Sequence, residues 1–402
     1  MHDDLTFRQR IDTYLHRLVD EEEAELVRLS GELAPLCAQL RSSLTRGKRM
    51  RAAFLYWGWR AAGQPDCDGV IRAAAAMELV HAAACTHDDI IDDSRLRHGV
   101  PTAHVAFAEA GARGWGTANP YPGSVRRRSL RRDSVWNESL RTDPLRTDSL
   151  RTDPLRADSL RTDSLSPDHA RQEKSAALAM MLGDLLMGYA AQVFATCGLP
   201  GAYVARTVPL WSTLLRETVA GEFLEVLRTG SDAPEVTESL EVARYKTAKY
   251  TVERPLHMGA TLGGAPRRVM EAFTAYGLPL GEAFQLRDDL IGTFGDPAVT
   301  GKSNLDDLRD RKPTALLATT LSLLTPDARR LFEKTLDNPV LDQSDAALVR
   351  RLMEECGARG RIEEMISERM AEARGALDSV PLPLEARAAL AELATSAADR
   401  TL

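Results

Sequence analysis

"AAAAMELVHAAACTHDDIIDD", residues Ala73 to Asp93, decides the fold. Its first half is apolar on nearly every side, the pattern of a helix enclosed by other helices. Its second half ends in aspartates. On an α-helix Asp88 and Asp92 lie one turn apart on one face, and Asp89 and Asp93 form a second stacked pair. At about 100° per residue, Met77, His81, Ala84, Cys85, Asp88 and Asp92 share a stripe roughly 100° wide. A buried helix therefore directs one histidine and two stacked carboxylates into a common space.

Working outward, the same helical pattern continues. Leu, Ala, Glu and Arg dominate and β-branched alternation is scarce, so the fold class is all-α. Helical runs are expected over residues 175–196, 207–228, 238–262 and 268–292, with shorter segments after Thr314. Of the 402 residues, 44% are hydrophobic and 27% charged, enough apolar material for a large core. The formal charge of -7 argues against nucleic-acid binding, because polyphosphate repels a net anion. The first residues are charged and carry no apolar leader, and no uninterrupted apolar run reaches membrane-spanning length, so no stable membrane insertion and a cytoplasmic location are expected. Five cysteines without metal or disulfide spacing fit a reducing compartment.

One stretch departs from the pattern. Eight five-residue units from Ser129 to Asp168 repeat a Ser/Pro-Leu-Arg-x-Asp theme. A period of five matches neither helix nor strand, and the recurring prolines break both, so disorder is expected over 118–168. That segment holds ten Arg against eight Asp plus Glu, a net of +2, which leaves -9 on the remainder. The division expected is a helical domain whose N-terminal part is 1–117 and whose remainder is 169–402, interrupted by a low-complexity insertion at 118–168.

Crowded carboxylates beside an apolar helix body are costly unless cations compensate them. Mg²⁺ suits them, since it takes carboxylate oxygens, keeps several waters and shares its other positions with substrate phosphates. A second acidic motif, "FQLRDD", places Asp288 and Asp289 after another amphipathic run, followed by Lys302 and Lys312. Two acidic motifs can clamp one diphosphate through several metal ions. "RGKRMR", Arg46 to Arg51, supplies Lys48, Arg49 and Arg51 for oxygens the metals leave free.

With these elements in order, the chain resembles the trans-isoprenyl diphosphate synthases, the polyprenyl synthetase family, and more softly its actinobacterial short-chain members, including geranylgeranyl diphosphate synthases. The matched elements are GKRxR, ELVH before HDDIIDD, R-x-GxPT, Gly183-Asp184, Tyr245 to Thr247, Phe284 to Asp289, and Thr300 to Lys302. The resemblance implies an isoprenoid-synthase helical bundle around a central cavity and a homodimer. It implies condensation of isopentenyl diphosphate with an allylic diphosphate: dimethylallyl, geranyl or farnesyl. Asp88, Asp92 and Asp288 would ligate three Mg²⁺, with Mn²⁺ as a substitute, and Asp89 and Asp289 would support them. Arg97, Lys246 and Lys302 would neutralise the allylic diphosphate, with Thr247 and Gln285 beside it. Lys48, Arg51 and His81, with Arg49 nearby, would hold isopentenyl diphosphate. Family members that stop at fifteen carbons carry aromatic residues at the positions of Ala83 and Ala84. Their absence here implies a product of about twenty carbons or more, geranylgeranyl diphosphate being the expected one. Met77, two turns deeper, is taken as part of the cavity floor.

Three departures stand out. His98 replaces the second arginine of the family's RRG, Gly292 replaces a third aspartate, and Arg311 replaces a glycine before Lys312. A class I terpene cyclase would share the cavity and one acidic motif but lack the basic run and His81. A non-catalytic subunit of a heteromeric synthase usually loses acidic motifs, and both are present here.

Overall fold

The computed structural model describes residues 2–112, 167–231, 233–296, 306–338 and 341–398. Among these residues the chain is helical apart from one antiparallel hairpin, Leu96–Arg97 paired with Val100–Pro101. The segment expected to be disordered falls outside the described residues as far as 166. Only its last two residues, Pro167 and Asp168, differ from that expectation, because a helix begins at Pro167. A proline ring's fixed φ suits a first helical turn, where its missing N–H costs nothing.

The first half comprises α1 (His2–Leu29), α2 (Ala34–Leu44), α3 (Met50–Ala61), α4 (Asp68–Ile91), the hairpin, α5 (Ala103–Ala112), α6 (Pro167–Ala195) and α7 (Gly201–Arg228). The second comprises α8 (Val236–Val242), a π-helix (Ala243–Glu253), α9 (Arg254–Gly263) and α10 (Arg267–Phe294). It continues through α11 (Asp306–Arg309), α12 (Ala315–Leu323), α13 (Pro326–Leu336), α14 (Gln343–Glu355), α15 (Ala358–Asp378) and α16 (Leu384–Ala398). The helical runs expected from sequence all fall on these elements.

As its apolar periphery requires, α4 is enclosed: Ala73 to Met77 and Leu79 have no exposed surface. Its alanines let α6 and α3 approach closely, and both pack against it. By length and mean hydropathy α6 could cross a membrane, yet nearly half of that window is buried inside the protein. One core gathers α1, α4 and α6 through Ile11, Leu15, Leu79, Leu182 and Leu186. A second gathers α10 and α15 through Phe273, Tyr276, Leu280, Ile362 and Met370. Helix α3 serves both, Leu55 facing the first and Phe54 the second.

Where α3 crosses α9 the two backbones touch. A Cβ on Gly259 would stand 1.9 Å from the Leu55 carbonyl oxygen, and one on Gly58 2.4 Å from that of Leu256. Helix α7 meets the π-helix as closely, for a Cβ on Gly221 would lie 2.3 Å from the Lys246 amide nitrogen. Extended π-helix is rare and concentrates at functional sites, and Pro255 removes an amide donor where it joins α9.

Candidate active site

The C-terminal turn of α4 brings its aspartates against three cations, one from the hairpin that follows it and two from distant parts of the chain. Arg97, on the hairpin, donates from Nη2 to Asp88 Oδ2 at 2.7 Å and from Nε to Asp89 Oδ1 at 2.8 Å. Lys246, on the π-helix, donates to the other Asp88 oxygen at 3.1 Å. The same ammonium stands 2.9 Å from Glu222 and 2.8 Å from Glu225, both on α7. Lys312 pairs with Asp92 and lies 3.9 Å from Glu225. Burial would raise the pKa of Asp88, but Lys246, Arg97 and Lys312 outweigh it and hold the carboxyl below its ordinary value. Burial and the neighbouring Asp88 and Glu225 instead push Glu222 up, against the pull of Lys246.

The second acidic motif approaches from α10. Thr247, next to Lys246, donates its hydroxyl to Gln285 Oε1, and Gln285 Nε2 donates to Asp289 Oδ1 at 2.8 Å. Asp289 is buried by this relay, while Asp288 is half-exposed. The π-helix therefore touches both acidic motifs through consecutive residues. Gly292, one turn beyond Asp288, leaves that turn without a carboxylate.

The basic run forms the turn that opens α3. Lys48 is exposed there, and Arg51 is half-buried above the ring of Tyr250, 4.3 Å from its centroid. His81 is on α4, with Nδ1 3.4 Å from Cys85 Sγ and 3.5 Å from the Tyr250 hydroxyl. Burial, reinforced by Arg51 and Arg97, holds the His81 pKa well below 6.5, so the imidazole is neutral at pH 7. Arg49 corrects the sequence reading. Its backbone is left-handed, φ 56°, and its guanidinium turns inward, 5% exposed, to Asp12, Glu78 and the carbonyls of Leu44 and Arg46. Its guanidinium is taken up by these contacts and anchors the basic turn.

Of the residues expected to set product length, Ala84 is half-buried on the stripe with His81, Cys85 and Asp88. Ala83 is fully buried in the first core and faces away from that stripe, which corrects its expected role. Met77 is fully buried where the accessible stripe ends. Lys302 lies outside the described residues. At the departures, His98 has φ 53° and its carbonyl accepts from Arg46, while Arg311 has φ 50°. These left-handed values explain why glycine is favoured at position 311. Sequence reasoning missed Glu222, Glu225 and Tyr250 and assigned no role to Lys312. A glycine followed by two glutamates three apart, "GEFLE", was the available signal for the first two.

The donor set suits a hard divalent cation. Three carboxylates, Asp88, Glu222 and Glu225, converge within 3.1 Å on one ammonium, and Glu222 Oε1 is a buried oxygen without a hydrogen-bond partner. Among the described residues, no three His, Cys, Asp or Glu side chains enclose an ion by themselves. Mg²⁺ needs only a few protein carboxylates, because water and substrate phosphate oxygens complete its shell.

Comparison with known proteins decides the family. The sequence profile of the polyprenyl synthetase family matches residues 34–116 and 169–355. The chain belongs to this family. Membership makes it an enzyme of the trans-prenyltransferase class. The two matched stretches stop on either side of the pentapeptide repeats. Over 318 residues the synthase is 27% identical to the (2E,6E)-farnesyl diphosphate synthase of Mycobacterium tuberculosis, covering 78% of this chain and 68% of that one. Over 373 residues it is 26% identical to a geranylgeranyl diphosphate synthase of the same organism, covering 92% and 86%. The structure superposes on a geranylgeranyl pyrophosphate synthase from Corynebacterium glutamicum, solved with isoprenyl diphosphate and magnesium. The TM-score is 0.80 at 29% identity, over 98% of this chain and 99% of that one.

Proposed function

We propose that this synthase condenses isopentenyl diphosphate with an allylic diphosphate to give an all-trans product, geranylgeranyl diphosphate. The observation that carries the reading is the meeting at Asp88 of Arg97 and Lys246, with Thr247 joined through Gln285 to the second acidic motif. Asp88, Asp92 and Asp288 are the residues to hold three Mg²⁺, with Asp89 and Asp289 behind them. When bound, Mg²⁺ would neutralise the allylic diphosphate and stabilise it as a leaving group. Arg97, Lys246 and Lys312 add fixed positive charge around the same oxygens, preorganised before reaction, and Lys302 is the further cation that the family motif assigns to them. Thr247 and Gln285 orient the diphosphate edge. Lys48, Arg51 and neutral His81, which retains one N–H donor, bind the diphosphate of isopentenyl diphosphate.

The allylic C–O bond breaks, with its electron pair leaving on the diphosphate. The isopentenyl double bond attacks the allylic cation, and the resulting tertiary cation loses a proton to the departing diphosphate. The hydrocarbon tail descends the α4 stripe past Ala84 toward Met77. The helical parts 1–117 and 169–402 work as one domain interrupted by the insertion. A homodimer is supported by the apolar face that α6 and α7 expose, including Met180, Met181, Val208, Val219 and Phe223; patches of this kind mark interfaces.

The test is incubation of purified protein with Mg²⁺, isopentenyl diphosphate and primers of five, ten and fifteen carbons, followed by product sizing. Twenty-carbon product is expected from each primer. Absence of elongation with all three would overturn the reading.

A further inference from the structure

We propose that Tyr250 is a positioning residue that holds Arg51 and His81 in the orientation that receives isopentenyl diphosphate. The inference rests on the assignment of Arg51 and His81 given above. Tyr250 is buried on the π-helix, four residues beyond Lys246. Its ring lies 4.3 Å from the Arg51 guanidinium carbon, a cation–π distance. Arg51 Nε is buried without a hydrogen-bond partner, so the aromatic face beneath it is a principal constraint on the guanidinium plane.

The Tyr250 hydroxyl lies 3.5 Å from His81 Nδ1, and burial keeps the phenol protonated. A phenol directed at Nδ1 favours the tautomer with its proton on Nε2, which leaves the neutral imidazole one donor for a substrate oxygen. The ring thus acts on Arg51 and the hydroxyl on both Arg51 and His81, two groups of one pocket. Lys246 and Thr247, on the same helix, reach Asp88 and Gln285. One rigid element therefore sets the spacing between the pocket for the acceptor and the pocket for the allylic donor.

Steady-state kinetics of Tyr250→Leu, Tyr250→Phe and Arg51→Gln, with each substrate varied in turn, test the inference. Tyr250→Leu should raise KM for isopentenyl diphosphate about tenfold and KM for the allylic diphosphate less than about twofold, as loss of a desolvated cation–π contact implies. Tyr250→Phe keeps the ring and loses the hydroxyl, so a rise of about threefold is expected. If Arg51→Gln raises the acceptor KM while both Tyr250 variants leave it unchanged, the role of Tyr250 is overturned and the pocket assignment stands. An unchanged acceptor KM in Arg51→Gln overturns the assignment and the inference together. Equal rises in both KM values in a folded Tyr250→Leu protein, checked by thermal melting, would mark a merely structural tyrosine and overturn the inference too. Should Tyr250→Leu not fold, an unchanged acceptor KM in Tyr250→Phe does so alone.

Discussion

Replacing Ala84 with phenylalanine should shorten the product, and the geometry of α4 says by how much. Ala84 lies four residues before Asp88, about 6 Å down the helix, and Met77 lies eleven residues before it, about 16 Å down. An extended chain covers about 3.5 Å over three bonds, so each four-carbon isoprene repeat needs about 4.7 Å. The distance to Met77 thus admits about three repeats, a fifteen-carbon donor whose last condensation gives twenty carbons. A ring at position 84 cuts the usable depth to about one repeat. The dominant product of Ala84→Phe should then be shorter than that of the wild type, about ten carbons against the twenty proposed above. Because Ala84 is half-buried on an accessible stripe, the added ring should avoid much of the ~1–3 kcal/mol that overpacking a closed core costs. The assay is incubation with a five-carbon primer and labelled isopentenyl diphosphate, with products sized by mass spectrometry. The converse variant, Met77→Ala, should lengthen the product, assayed well below its melting temperature because truncating a buried methionine costs about 2–5 kcal/mol. A folded Ala84→Phe protein with the wild-type product distribution would refute the cavity reasoning.

Two further perturbations probe the scaffold. Gly259→Ala puts a methyl 1.9 Å from the Leu55 carbonyl oxygen, and urea unfolding should show a loss of about 3 kcal/mol or more. Gly375→Ala meets nothing within 4 Å and should be neutral or stabilising by about 0.5–1 kcal/mol; equal losses in the two variants would contradict the crossing geometry. His257 is the pH probe. Its Nε2 lies 3.0 Å from the Met270 carbonyl and its Nδ1 3.1 Å from Arg254. Burial lowers its pKa below 6.5 and Arg254 adds to this, although Glu253 opposes them. A depressed folded pKa means that this stability is fully present above about pH 6.5 and is lost as pH falls toward the folded value. Melting temperatures should therefore decline less between pH 7 and 5 in His257→Gln than in the wild type. Parallel profiles would show that His257 contributes nothing to the acid slope.

The helical class and the Asp88–Asp92 pair were legible because both follow from periodicity along one element. The expected Asp89–Asp93 pair does not form, since α4 ends at Ile91 and Asp93 takes a left-handed φ of 47° that turns it toward His104. Periodicity also gave the position of His81, two turns before Asp88 on the same half-buried stripe. Arg49 was misread because a basic run gives no sign that one member adopts a left-handed backbone and folds inward. The clue lay elsewhere, in Glu78 standing inside an apolar run, since a buried carboxylate requires a partner. Lys312 and Lys246 meet their aspartates across 220 and 158 residues, and no local pattern encodes such pairings. Tyr250 escaped because its partners depend on the register of a π-helix, which composition does not announce.

The touching backbones of α3 and α9 also bear on motion. Arg51 opens α3, while α9 continues directly from the π-helix that carries Lys246 and Tyr250. Backbones in contact cannot slide past one another without a clash, so these two flanks of the cavity must travel as one body. Any closure around bound substrates must then come from the peripheral pieces, the hairpin bearing Arg97 and the segment after α11 bearing Lys312. Turnover in this enzyme should be paced by small, light elements folding over a fixed floor rather than by two halves hinging together.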